Sequence, residues 1–335
     1  MKTLARKLTL LLAPFVLASL ALLTYSSWSP KARQGIFDPQ LERKLRLCVL
    51  DGTAVIVAGD SRAETQVVPE IIERRTGLPT ANVATPAGDL PTLSRAIGQY
   101  GVLGRARALI LSTSIFQIND AVTAPGYLSA ACLLDMTLME KLLVYRRAPG
   151  RLLVTLATLA AEPDRGTKAA PTAGADGPCL WKGFVGLEGT LRLPINISLD
   201  PHTTEHSWYR DQHLHGARWR VFHAALDRIA ASNVRVFLIQ APVSPAWRAY
   251  TAGTFVDRAE REFATMLAEA ARRHGNVRFL DFYSQPDARL ENGMFYDIQH
   301  LNASGAVLFT GILVDRIGDD LRAPVSGERH AVGGG

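Results

Sequence analysis

The sequence has little cysteine, no clustered run of one charge sign and no glycine-rich loop, and each shortage removes a class of explanation. Its 335 residues hold three cysteines, Cys48, Cys132 and Cys179. Three are too few for a disulfide framework, and their spacing matches no metal-ligand pattern. One bridge plus one free thiol suits an oxidising compartment, although Cys48 in Leu-Arg-Leu-Cys-Val-Leu and Cys132 in Ala-Ala-Cys-Leu-Leu read as small core residues. The formal charge of +6 suits an anionic partner such as membrane lipid or an acidic polymer. The charges are scattered, however, and no basic helix carries interleaved aromatics, so nucleic acid is not an expected partner. No loop is built to cradle phosphate and no convincing metal set appears, so neither a cofactor nor a metal is expected. No internal repeat is apparent.

One long apolar run stands out against this background. Leu8 to Tyr25 is uncharged, preceded by Lys2, Arg6 and Lys7 and followed by Ser26-Ser27-Trp28. It is just long enough to cross a bilayer. The flanking positives predict a cytoplasmic N-terminus, with Trp28 at the far interface and the rest of the chain outside the cell membrane. A cleaved signal peptide is the alternative, because Ala18 and Ala21 lie near the end of the run. The segments expected are a cytoplasmic tip and transmembrane anchor over 1–28, a linker over 29–45, one domain over 46–322 and a disordered tail over 323–335.

With 47% hydrophobic residues the chain can bury a substantial core. Short β-branched runs predict strands at Val55–Ala58, Ala81–Ala84, Ala108–Leu111, Val234–Gln240 and Val277–Asp281. Longer periodic patterns predict helices at Glu64–Arg75, Pro91–Tyr100, Leu128–Tyr145, Gly216–Ala231, Asp257–His274 and Ser304–Leu321. This alternation predicts an α/β fold, a doubly wound and mostly parallel sheet with helices on both faces. Residues 163–215 interrupt it as an insertion. Glu162 to Pro178 has no hydrophobic face and reads as mobile. Further on, His202, His206, His213 and His215 invite a metal reading, and His202 and His206 are four apart. Pro201 and the neighbouring threonines disfavour the helix such a site would need, and no carboxylate or cysteine completes the set. A lid or acceptor surface on the substrate side is the other reading of this segment.

Two motifs carry chemistry. Val55-Ile-Val-Ala-Gly-Asp-Ser61-Arg62 reads as a buried strand ending in a tight turn, with Ser61 where a helix begins. A hydroxyl there sits among backbone N–H groups that stabilise a developing oxyanion. Some 235 residues later stands Asp297-Ile-Gln-His300-Leu-Asn302. His300 supplies a base for Ser61, and Asp297 a carboxylate to hold that base. The plainer alternative makes Ser61 a helix cap. Asn302 reads as the cap of the last helix. Arg62 either binds an anionic polymer or donor, or pairs with Glu64 or Asp89. Pro242 and Pro245 follow the end of the strand predicted at Val234–Gln240, where they line a pocket or merely terminate the strand.

Gly-Asp-Ser near the start of the ordered region and Asp-x-x-His near its end resemble the SGNH (GDSL-like) hydrolase superfamily, over about residues 50–320. Gly-Asp-Ser-Arg, the N-terminal apolar segment and Asp-x-x-His-Leu-Asn are similar to its membrane-anchored branch, the DltD-like and AlgJ/AlgX-like O-acylation proteins. The resemblance implies a flavodoxin-like doubly wound domain behind one transmembrane helix, with the catalytic residues Ser61, Asp297 and His300. It also implies an oxyanion hole made by three groups: the nucleophile's own N–H, a glycine N–H after the second strand and an asparagine after the third. Ala84 stands where that glycine would, with Gly88 as the later alternative. Asn119 in Asn119-Asp120 answers to the asparagine but lies beyond the strand end, where Ser112 and Ser114 are alternatives. The function implied is a single-pass inner-membrane (cytoplasmic-membrane) enzyme with a periplasmic domain. It would be a serine O-acyltransferase, O-acetyl by preference, taking an acyl donor and a polysaccharide or polyol acceptor. A multi-spanning membrane O-acyltransferase is a further partner the resemblance allows. A carbohydrate esterase using the same triad and a non-catalytic accessory subunit are the alternatives.

Overall fold

Five short runs of aliphatic residues build the sheet: β1 (Val55–Gly59), β2 (Thr80–Asn82), β3 (Ala108–Thr113), β4 (Arg235–Gln240) and β5 (Val277–Asp281). All neighbours are parallel, in the order β2-β1-β3-β4-β5. This computed structural model describes residues 39–50, 52–122, 129–147, 180–197 and 212–323, together with Ala13, Leu17, Ala21, Leu199 and Tyr209. The helices named here are α1 (Pro39–Cys48), α2 (Ser61–Gln66), α3 (Pro69–Thr76), α4 (Leu90–Gln99), α5 (Ala130–Asp135), α6 (Leu138–Arg147), α7 (Ala217–Ala230), α8 (Pro245–Thr251), α9 (Phe255–Arg272) and α10 (Ala303–Arg322).

Successive strand residues point to opposite faces, so strands covered on both sides read as continuous apolar runs. Ile56, Ala58, Leu109, Leu111, Val236 and Leu238 pack against α1, α4, α7 and α9 through residues such as Leu45, Ile97, Phe222 and Phe263. Val55, Val57, Ile110, Phe237 and Ile239 face the other layer, where Ile72 of α3 and Phe309, Leu313 and Ile317 of α10 cover them. The α/β class, the parallel sheet and the two helical layers agree with the sequence reading. From β1 the chain runs outward to β2 and then returns to the opposite side of β1 to make β3. The carboxyl ends of β1 and β3 therefore flank a switch point, the position where such sheets leave room for a ligand.

Several boundaries differ from the sequence reading for local reasons. The helix expected over Glu64–Arg75 is two, because Val68 is held extended before Pro69 and the ring begins a new helix. The helix expected over Leu128–Tyr145 also breaks. Thr137 and Glu140 there cap each other, with Thr137 N–H donating to Glu140 Oε2 (2.7 Å) and Glu140 N–H to Thr137 Oγ1 (3.3 Å). Residues 39–45, expected as linker, belong to α1. Leu41 and Leu45 are core residues, and Lys44 is buried against Glu64 of α2 (2.8 Å).

Cys48 is disulfide-bonded and so is not the plain core residue expected. Cys132 is a free, buried thiol whose pKa burial pushes up to about 12. Of the apolar run over 8–25, only Ala13, Leu17 and Ala21 are described, each helical; the rest of the expected anchor lies outside the described residues. Among the described residues no helix is long and apolar enough to cross a membrane. The stretch read as mobile, the tail from 324 onward, His202 and His206 also lie outside them.

Candidate functional site

The strand-to-helix turn after β1 fixes Ser61. Gly59 has φ +133°, and a Cβ there would lie 2.2 Å from the Ser112 carbonyl oxygen, so only glycine fits. Asp60 then caps α2, its carboxylate accepting Arg62 N–H at 3.0 Å. Ser61 is the first residue of α2, where its own N–H has no carbonyl partner within the helix.

The second half of the site is a loop closed on itself. Tyr296 N–H donates to the His300 carbonyl at 2.8 Å, and Phe295 bridges Leu301. Asn302 anchors the loop from below. Its Oδ1 caps α10 through Gly305 N–H (2.9 Å), while its Nδ2 donates to the carbonyls of Gly293 (2.8 Å) and Gly189 (3.0 Å). Asp297 Oδ1 accepts the N–H groups of Gln299 (2.8 Å) and His300 (2.7 Å).

These two pieces meet. Ser61 Oγ lies 2.9 Å from His300 Nε2, and His300 Nδ1 lies 2.8 Å from Asp297 Oδ2. Burial by itself raises the Asp297 carboxyl. The hydrogen bond and charge of His300, with the two loop N–H groups, outweigh that and hold it below the usual carboxylate range. The His300 side chain is 19% exposed and that of Asp297 43%, and Ser61 is half-buried. The line of groups is therefore open to a small substrate from the solvent side. That arrangement can take a proton from the serine hydroxyl and stabilise the resulting imidazolium.

The other residues singled out from the sequence are mostly committed elsewhere. Arg62 is only 3% exposed. Its guanidinium reaches under the sheet edge to Ser114 Oγ (3.0 Å) and the Thr113 carbonyl (3.2 Å). It is therefore an interior cation, not a contact for an anionic substrate, and Glu64 and Asp89 are not its partners: Glu64 pairs with Lys44 and Asp89 caps α4 through Thr92 N–H. Ser114 is shared between Arg62 and the Asp60 carboxylate. Asn119 is fully buried, its Oδ1 accepting the N–H groups of Ala121 (3.1 Å) and His213 (3.0 Å). Ser112 pairs in register with Gly59, yet its hydroxyl is buried and, among the described residues, without a hydrogen-bond partner. Ala84 N–H donates to Asn82 Oδ1 (3.0 Å), so it is not the spare donor expected there. Gly88 N–H donates to the Thr85 carbonyl (3.0 Å), closing a turn over Pro86 and Ala87. That turn packs against the end of β1: a Cβ at Gly88 would come within 2.4 Å of the Gly59 carbonyl oxygen.

Two features had no clear signal in the sequence, and a third decides between readings it left open. Lys44 Nζ ties Glu64 of α2 to the carbonyls of Ala84 (2.6 Å) and Gly183 (2.9 Å). A groove of about 770 Å³ runs beside Asp297, with Leu191, Pro194, Ile195, Tyr296 and Ile298 among its walls. A second, of about 600 Å³, is lined by Pro242, Val243 and Pro245, so the prolines at the end of β4 do face a pocket. Among the described residues no three His, Cys, Asp or Glu side chains gather as metal ligands, and His215 pairs with Glu262 (2.8 Å).

No family model and no curated protein sequence matches the chain. Solved structures do. The chain is similar to a lipase/acylhydrolase from Enterococcus faecalis, at 11% identity and a TM-score of 0.39, over 80% of this chain and 96% of that one. It is also similar to an α/β hydrolase from the metagenome of Lake Arreo, Spain, at 12% identity and a TM-score of 0.41, over 83% and 100%.

Proposed function

We propose that this chain is a serine acyl-transfer enzyme that carries an acyl group, acetyl by preference, on Ser61 and passes it to a hydroxyl of an envelope or exported polysaccharide. The observation that carries this reading is the unbroken line of hydrogen bonds from Asp297 through His300 to Ser61. In the first half-reaction Ser61 Oγ attacks the donor's acyl carbonyl while His300 Nε2 takes the hydroxyl proton. Asp297 holds the Nδ1–H and stabilises the imidazolium, and the Ser61 N–H faces the developing oxyanion. The tetrahedral centre collapses as His300 returns the proton to the departing group, which leaves acyl-Ser61. An acceptor hydroxyl then repeats the sequence in reverse, losing its proton to His300 and freeing Ser61.

Hydrolysis and transfer share this intermediate, and the choice rests on whether an acceptor outcompetes water. The groove beside Asp297 supports an acceptor larger than water, with an aromatic ring and aliphatic walls next to polar groups. The apolar run behind Lys2, Arg6 and Lys7 supports a single-pass anchor with the domain on the periplasmic side. A multi-spanning membrane protein that delivers the acyl group fits the same arrangement. The esterase reading uses the same triad with water as acceptor. A third reading, an accessory subunit without catalysis, draws on the commitment of the Ala84 and Gly88 N–H groups and of Asn119 to other partners.

Two measurements separate these readings. An alkyl fluorophosphonate should label the wild-type protein and not Ser61→Ala; an unlabelled wild type would leave the accessory reading standing. Ester-linked acetyl in envelope polysaccharide should then fall in cells carrying Ser61→Ala. A rise would make the enzyme an esterase.

A further inference from the structure

The residue inside the Asp297-x-x-His300 turn does not point at the substrate. Gln299 is 2% exposed and enters the interior, where its Nε2 donates to the Tyr209 hydroxyl at 3.3 Å. Tyr209 belongs to the insertion between α6 and α7, and it donates in turn to Glu260 Oε1 of α9 at 2.6 Å. Glu260 Oε2 accepts from Gln240 Nε2, at the end of β4, at 2.7 Å. The Gln299 backbone is held as well: its N–H donates to Asp297 Oδ1 (2.8 Å) and its carbonyl accepts from Gln66 Nε2 of α2 (2.6 Å). The side chains of Gln66, Tyr209, Gln240, Glu260 and Gln299 are all buried. Both side-chain oxygens of Glu260 are therefore engaged. Its burial raises the carboxyl, while the charge of Arg62 and the bonds from Tyr209 and Gln240 oppose that shift.

Burying a carboxylate is costly, and a packed apolar cluster of the same volume is usually as stable or more so. The arrangement therefore asks for a use beyond stability. Its outer end is the one loop on which the base geometry depends. We infer that Glu260 and Tyr209 are positioning residues, which act through Gln299 to hold the Asp297–His300 loop at the distance from Ser61 that proton transfer needs. A loop released by even an ångström or so loses rate without losing the reacting groups. The relay also assigns a task to part of the insertion, since Tyr209 is its contribution beneath the site.

This inference rests on the triad reading, and the test keeps the two apart. The probe is an alkyl fluorophosphonate reacting with the full chain, measured as the limiting inactivation rate (kinact) and the half-saturating concentration (KI). Tyr209→Phe removes the hydroxyl that joins Gln299 to Glu260; kinact should fall about 10- to 100-fold with KI unchanged. Glu260→Gln should restore most of what Glu260→Ala loses. Its carbonyl still accepts from Tyr209, and Gln240 can turn its Oε1, which has no partner among the described residues, toward the new amide. Should Tyr209→Phe fail to fold, Gln299→Leu cuts the same link from the loop side and leaves the Tyr209–Glu260 bond intact. A labelled wild type with an equally fast Tyr209→Phe or Gln299→Leu overturns the relay alone. So does a loss that appears in KI, or a Glu260→Gln no better than Glu260→Ala. A wild type that never labels overturns the serine reading and the relay with it.

Discussion

The two sides of Ser61 are built on different principles. On the base side, everything needed is a side chain: His300 and Asp297 stand three residues apart, and Asn302 two residues on locks their loop with three bonds. On the oxyanion side, what is needed is mostly backbone N–H, contributed by turns that follow β1 and β2. Whether such a group is spare depends on its neighbours. Ala84 loses its N–H to Asn82 two residues earlier, and Gly88 loses its own to Thr85. Side-chain chemistry is written in residue types, whereas donor availability emerges only when the turns have folded.

The largest effect should come from removing Ser61 itself, and the next from breaking its base side. Ser61→Ala should abolish fluorophosphonate labelling and lower turnover on an acyl-ester substrate by up to about 10⁶-fold, the scale on which serine triads fail as a unit. Asp297→Asn should follow at about 10⁴-fold, because the imidazole then loses its oriented partner. Ser61→Ala should melt near wild type and Asp297→Asn only somewhat below it, so circular dichroism against temperature separates lost chemistry from lost fold. An Asp297→Asn variant with near-normal turnover would mean that His300 is held by its loop alone.

Two carboxylates then sharpen the contrast between the site and the interior beneath it. Asp297 titrates below its usual range and Glu260 above it. A depressed carboxyl stabilises the fold above its unfolded value, near pH 4, and that contribution disappears as pH falls through the folded value. A raised carboxyl has the opposite sign: its contribution is complete below the unfolded value and fades as pH rises through the folded one. Urea midpoints should therefore show the advantage of wild type over Asp297→Asn shrinking on the acid side of about pH 4. Relative to Glu260→Gln, wild type should lose ground as pH rises from about 4 upward. Parallel curves for either pair would contradict the assigned environment of that carboxylate.

The extent to which the molecule was legible follows the same division. The strands were readable because residues buried on both faces leave unbroken aliphatic runs, and Gly-Asp-Ser with Asp-x-x-His because each motif is local. Arg62 was not, because its partners Thr113 and Ser114 lie about fifty residues away and withdraw it from the surface. Lys44 was hidden in what reads as a polar linker, although it neutralises Glu64 and joins three segments. The helix breaks before Pro69 and at Thr137 carried signals, a proline and a Thr-x-x-Glu box, that the longer apolar periodicity overrode. Asn302 sits between the two classes. As a cap it was predictable, but its bonds to Gly189 and Gly293 were not. Asn302→Ala should cost about 2 kcal/mol, the upper end for a lost cap, read as a fall in the urea midpoint.

The smallest expected effect bears most directly on the oxyanion side. The turn closed by Gly88 N–H and the Thr85 carbonyl has Pro86 at its second position and Ala87 at its third, with φ +54°. A type II turn favours glycine at that third position, and alanine there is strained by about 1 kcal/mol. Ala87→Gly removes the strain but loosens the unfolded chain, so the net gain in stability should be no more than about 1 kcal/mol. The informative quantity is what happens to Ser61 at the same time. The turn packs on the Gly59 carbonyl, one strand end away from the nucleophile, and rigidity there costs stability that a freer residue would recover. A more stable Ala87→Gly with slower fluorophosphonate labelling would mean that the strain holds donors against the oxyanion. A more stable variant with unchanged labelling would leave the Ser61 N–H, at the start of α2, as the donor on which the chemistry depends.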